Sequence, residues 1–148
     1  MAYLSQNNKA VVVASKAKMP SKRLRTSGIS VPRRELEAAV LGSKLMAKLI
    51  KTYESIYKLE PHMWSDSTVV LNWLSNEQQM ERFVQNRVSL IRQLIPGVPW
   101  HFVDTLSNPS DCVSRGLMSA DYLNPRHMYW TGPKQMHERV LEPFTDLV

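Results

Sequence analysis

The sequence predicts an α/β or α+β layer, a sheet with helices packed against it. Three observations carry that expectation. Residues Ala10–Ala14, "AVVVA", form a β-branched run of strand character. The stretch from Pro32 to Tyr57 repeats its apolar residues at helical spacing. The whole chain then reads strand, strand, helix, strand, helix, helix, strand, helix. A length of 148 residues suits one ordinary domain with a core of its own.

Each element has a local cause. "AYLSQNNK" ahead of the β-branched run reads as the end of a strand and a turn, because Asn-Asn tolerates left-handed backbone. Residues 15–31 lack a sustained period and contain Pro20 and Gly28, which predicts a loop. Pro32 opens the best helix, since proline is favoured in a first turn. At 100° per residue, Leu36, Val40, Ser43, Ala47 and Ile50 share one face, the expected core stripe. Glu37, Lys44, Lys48 and Lys51 fall on the opposite, solvated face. Pro61 closes this region and "HMWSD" reads as a short, mostly buried strand. Asp66 or Ser67 then caps a helix "TVVLNWL". Met80, Phe83, Val84, Val88, Ile91, Leu94 and Ile95 predict a further helix that Pro96-Gly97 stops. "PWHFVDT" is another strand candidate. "NPSDCVSRG" reads as a short helix with Asn108 as cap, Pro109 first and Gly116 as terminator. From Leu117 onward, Pro, Met and Trp recur without a period, which predicts an extension packed by aromatics.

Composition narrows the function classes. A 43% apolar fraction fits a globular protein, and no apolar run is long enough to span a membrane or to serve as a secretory signal. The single cysteine, Cys112, excludes an internal disulfide and a multi-cysteine zinc site, so an intracellular protein is expected. The net charge of +6 is uneven: residues 1–34 hold eight Lys or Arg and no acid, while the remaining 11 bases face 13 acids. A basic arm on a near-neutral body suits a polyanion, although a solvated basic linker has the same composition.

Three carboxylates stand where elements begin or end. Glu35 is placed in the first turn of the long helix, Asp66 at a strand end, and Asp111 in the first turn of the short late helix. Ala39 and Gly42 beside Glu35 leave room for another segment or a ligand. Acids at one edge of a sheet suit Mg²⁺, which takes oxygen ligands and keeps waters and substrate phosphates. Two such ions about 3.5–4 Å apart support in-line phosphodiester cleavage. Each acid also has an ordinary reading, the macrodipole for Glu35 and Asp111 and a helix cap for Asp66.

Longer motifs add a resemblance. "ASKAKM", "VPRRELEAAVLGSKLM", "WSDSTVVLNWL" and "NPSDCVSRGL", in that order, resemble successive motifs of the ribonuclease H-like domain of Bel/Pao-type LTR retrotransposon polyproteins. "MYWTGPKQM" is similar to the aromatic Gly-Pro segment that follows that domain. The likeness runs over roughly residues 2–136. It implies a ribonuclease H-like mixed sheet of five strands flanked by helices, with residues 1–116 as the domain and 117–148 as a C-terminal extension. It also implies Glu35, Asp66 and Asp111 as catalytic metal carboxylates, with Mg²⁺ or Mn²⁺ as cofactor. The implied activity is hydrolysis of RNA in RNA–DNA hybrids, and the rest of a retroelement polyprotein is an implied partner. That fold carries a further Asp on its first strand. Here the chain enters within the second strand and no acid precedes Glu35, so the first strand is expected to be missing and activity weak or lost. A non-catalytic nucleic-acid-binding remnant and an inert fragment are the alternatives.

Lys16, Lys18, Lys22, Arg23 and Arg25 follow the second strand and are the expected phosphate contacts of a hybrid or other nucleic acid. His62, His101, His127 and His137 share no metal-ligand spacing, and the first two read as ordinary strand-associated partners. Cys112 has no supporting His pattern and reads as a buried small residue. The tryptophans read as packing residues, with base stacking a lesser option for Tyr129 and Trp130.

Overall fold

The computed structural model describes residues 1–6, 9–19, 22, 25, 28–116 and 119–137. The chain is mixed α/β with small sheets and several helices, and it divides into two compact units. One comprises Met1–Ser15 and the described residues from Val103 onward; the other comprises the described residues of Lys16–Phe102.

In the first unit, β1 (Ala2–Gln6) and β2 (Lys9–Ala14) form an antiparallel hairpin, with an irregular register between Ala2 and Tyr3. A lone two-stranded hairpin is marginal in water and needs a third element against it. That support comes from the C-terminal region. A 3-10 turn at Thr105–Ser107, capped by Asp104, leads into α4 (Pro109–Arg115), α5 (Ser119–Leu123), α6 (Met128–Thr131) and α7 (Lys134–His137). α6 packs on β2 and α4 packs on α6. The Tyr3 hydroxyl donates toward Tyr129 O at 2.9 Å and lies 3.3 Å from Met128 O. Burial pushes the Tyr3 hydroxyl well above the ordinary tyrosine range, so it stays a donor. Among the described residues, the region from Leu117 holds three helices of one turn or little more, too short to display a 3.6-residue period in the sequence.

Gly132 ends α6 with φ 79° and ψ 177°, a region essentially reserved for glycine. A Cβ there would also stand 2.5 Å from Met136 Cε and 3.5 Å from Tyr3 Cδ1. Gly132→Ala is therefore expected to lower stability by about 1–3 kcal/mol, read as a lower urea midpoint; an unchanged midpoint would show that this turn relaxes freely.

The second unit is built on α1 (Val31–Tyr53). Leu36, Ala39, Val40 and Ser43 are buried, while Ala47 and Ile50 pack at the edge of the core. Ser43 is a polar residue on an apolar stripe, and its hydroxyl is satisfied by Ala39 O at 2.8 Å. Val70 of α2 (Thr68–Ser75) and Val84, Val88 and Ile91 of α3 (Arg82–Leu94) complete the cluster with Ile95. The helix is expected to reach Tyr57 but ends at Tyr53. Ile56 and Tyr57 beyond it are 69% and 46% exposed, with no core beneath them to hold a further turn.

Two ion pairs cross between α1 and the start of α3: Arg33 with Glu81, and Arg87 with Glu37. Both guanidiniums also stand over the Phe83 ring, Arg87 Cζ at 3.5 Å and Arg33 Cζ at 4.9 Å from its centroid. Glu37 thus faces α3 rather than open solvent with the lysines, a correction to the helical-wheel expectation. Partly exposed pairs of this kind contribute about 0.2–1 kcal/mol each, whereas burying one Leu contributes about 1.5–3 kcal/mol. Apolar packing therefore dominates this interface.

The short strands β3 (Met63–Ser65) and β4 (Trp100–Phe102) pair in parallel, Met63 opposite Trp100, Trp64 opposite His101 and Ser65 opposite Phe102. α2 packs on both strands. α1 comes close to β3 at Gly42, where Met63 Cε lies 3.4 Å from the position of a Cβ. Among the described residues no helix is long and apolar enough to cross a membrane.

Candidate functional site

Asp66 follows β3 directly, at the carboxyl end of a strand in a parallel pair. In open α/β sheets, ligands collect outside the carboxyl ends of the strands. Two adjacent residues there compete for the cap of α2, and geometry decides between them. Ser67 has the extended backbone of an N-cap (φ −93°, ψ 105°), and its Oγ accepts from Val70 N–H at 3.3 Å. Ser65 Oγ in turn accepts from Ser67 N–H at 3.1 Å. The cap is Ser67. Asp66 is half-buried, and among the described residues no hydrogen bond or ion pair engages its carboxylate.

Glu35 is also half-buried and without a hydrogen-bond or ion-pair partner among the described residues. Its expected place is corrected by one residue of helix. α1 begins at Val31 with the proline second, so Glu35 falls in the second turn and the first turn holds no acid. The macrodipole acts mainly within the first turn, which removes the ordinary reason for an acid at this position.

Asp111 behaves differently. It does occupy the first turn of α4, and Arg115, one turn later, reaches its Oδ2 at 3.1 Å. Helix dipole and ion pair together account for it locally. It belongs to the unit of the hairpin, whereas Glu35 and Asp66 belong to the other. Among the described residues no three His, Cys, Asp or Glu side chains stand together as a metal-binding group.

Two buried polar atoms at the strand-to-helix seam lack a partner among the described residues: Trp64 Nε1 on β3 and Asn72 Oδ1 on α2. Such orphans are uncommon in folded proteins and carry a cost of about 1–3 kcal/mol each. With Asp66 and Glu35 they are unsatisfied polar capacity in the unit that contains the seam. A Mg²⁺ ion needs only one or two carboxylates besides waters and substrate phosphates, so Asp66 and Glu35 have the right chemistry for its protein ligands.

Of the basic arm, Lys16, Lys18, Lys22 and Arg25 are exposed, and Arg23 lies outside the described residues. Cys112 is half-buried, and its thiol is pushed up by burial first and by the neighbouring Asp111 second. A raised thiol is a poor nucleophile, in keeping with a packing role. His127 caps α6, its Nδ1 accepting from Tyr129 N–H at 3.1 Å. Tyr129 and Trp130 meet edge to face at 4.7 Å between centroids.

Sequence reasoning missed one constellation. His62 Nδ1 lies 2.9 Å from His101 Nε2, with Trp64 beside both rings. A signal was present in "PHMW" and "PWHF", two Pro-led segments that each set a His near a Trp.

Fold and site together define a small mixed α/β protein with an uncommitted carboxylate at the end of a parallel strand. No protein-family model matches the chain, and neither a curated protein nor a solved structure matches it.

Proposed function

We propose that the chain is a retrotransposon-derived, ribonuclease H-like module that acts on RNA–DNA hybrids. The observation that carries this reading is Asp66: it directly follows a strand of a parallel pair, caps nothing and has no partner among the described residues. Those properties suit a ligand-binding carboxylate better than a structural one. The motif resemblance supplies the chemistry, a Bel/Pao-type endonuclease domain of ribonuclease H type with a mixed sheet flanked by helices.

In this reading Asp66 and Glu35 would hold Mg²⁺ or Mn²⁺, two of the carboxylates that the resemblance implies. The bound metal supplies charge stabilisation for in-line hydrolysis of a phosphodiester. Each carboxylate is half-buried and without another partner among the described residues, which leaves it free to bind a cation.

The test is a labelled RNA–DNA hybrid incubated with Mg²⁺ and either the native chain or its Asp66→Asn variant. Cleavage by the native chain that the variant loses supports the proposal. Equal cleavage by both, or by neither, sinks it.

A second reading, nucleic-acid binding without catalysis, is favoured by the exposure of Lys16, Lys18, Lys22 and Arg25. Phosphate contacts give affinity that falls with salt at a log–log slope of about −0.7 to −0.9 per neutralised phosphate. Lys16→Ala combined with Lys18→Ala is expected to flatten that slope by about two units in a fluorescence-anisotropy titration. An unchanged slope would remove the basic arm from the interface.

A further inference from the structure

A histidine pair joins β4 to the segment that enters β3. His62, immediately before β3, brings Nδ1 to 2.9 Å from Nε2 of His101 on β4. His101 is 4% exposed, and the His62 side chain is 15% exposed. The Trp64 ring lies 5.0 Å from the His101 ring and 5.9 Å from the His62 ring, centroid to centroid. Two ring nitrogens at hydrogen-bond distance require that one carry a proton and the other a lone pair. Adding a proton to both facing nitrogens abolishes the bond. It also places two positive rings 5.1 Å apart in a poorly solvated site. A bridging metal is not the better reading, since no third donor stands with the pair among the described residues.

We infer that the His62–His101 pair is a proton-sensitive clasp on the β3–β4 sheet, closed while the two rings share a hydrogen bond and opened when both are protonated. Glu60 lies 3.9 Å from His62 Nε2 and is 92% exposed, so solvent screens its attraction. β3 carries no other titratable group, β4 carries His101 alone, and α2, which packs on both, has no charged residue.

The direction of the pH effect follows from burial. Desolvation first, and the neighbouring His101 second, hold His62 below the usual histidine range. The opened chain therefore binds more protons than the closed one as pH falls below about 6.5. The clasp contributes fully above that value and is lost as pH drops through the lower closed-state value. For each extra proton bound, the opening constant rises by up to about tenfold per pH unit.

Amide hydrogen exchange at Met63–Ser65 and Trp100–Phe102 tests this, with rates expressed as protection factors so that intrinsic pH dependence cancels. Between about pH 7.5 and 5, protection in the native chain is expected to fall by about tenfold or more. His62→Gln keeps a donor and an acceptor but does not titrate, and its protection is expected to hold. Equal losses in both proteins, or none in the native chain, overturn the inference. Should His62→Gln not fold, ring ¹⁵N shifts of the native chain decide. His62 is expected to titrate below the usual histidine range, and a His62 step at or above about 6.5 overturns it. Neither measurement involves substrate or metal, so the clasp stands or falls independently of the nuclease reading.

Discussion

Replacing Leu36 with alanine is expected to lower stability by about 2–5 kcal/mol, one of the two largest effects anticipated for a single change in this chain. Leu36 is wholly buried, and it sits in the cluster where α1 meets Val84, Val88 and Ile91 of α3 and Val70 of α2. The cost has two parts, the transfer energy of the lost methyl groups and the cavity that close-packed neighbours fail to fill. Typical domains are stable by only about 5–15 kcal/mol, so the variant should approach its midpoint at low denaturant. Urea unfolding followed by tryptophan emission reads the right region, because Trp73 and Trp100 pack against this cluster. Ile56→Ala is the control: Ile56 is 69% exposed, and its loss should stay within about 0.5 kcal/mol. Similar losses for the two variants would mean that the core does not organise the unit as described.

The α1 stripe was legible because one helix face records its partner in a regular period. Leu36, Val40 and Ser43 were placed by angle alone, and all three are buried. The crossing of Glu37 to Arg87 was not, since a helical wheel shows which residues share a face and not how wide the neighbouring helix is. The pairing of β3 with β4 was equally hidden. Three-residue strands carry too little alternation to announce a partner, and their parallel pairing depends on how two intervening helices pack. The His62–His101 bond inherits that difficulty, since it exists only once the strand register is set.

The carboxylates show the same division. Sequence placed Asp66 and Ser67 at a strand-to-helix seam but left two equally good cap residues side by side. Backbone angles and one hydrogen bond resolved the choice in favour of Ser67. Glu35 changed meaning through a single residue, because a helix starting at Val31 instead of Pro32 moves it beyond the turn where acids are ordinarily favoured. Asp111 moved the other way, toward a local explanation, through its bond to Arg115. Motif resemblance treats these three acids alike, whereas their surroundings do not.

Asp66→Asn and Ser67→Ala should therefore separate stability from activity. Ser67→Ala removes the cap of α2 and is expected to cost about 0.5–2 kcal/mol in a urea titration. Asp66→Asn removes a charge that no described group pairs with, so its stability should stay within about 0.5 kcal/mol of the native chain. Activity should show the reverse. Changing even an outer partner of a metal ligand costs about 10–100-fold, so removing a ligand itself should lower Mg²⁺-dependent hybrid cleavage by at least roughly 100-fold. Ser67→Ala should retain most of its cleavage at temperatures where it is folded. If instead Asp66→Asn destabilises as much as Ser67→Ala while cleavage persists, Asp66 belongs to the architecture of the seam and the metal-ligand reading fails. Because the two residues are adjacent, the comparison holds location nearly constant and varies only the chemistry of the side chain.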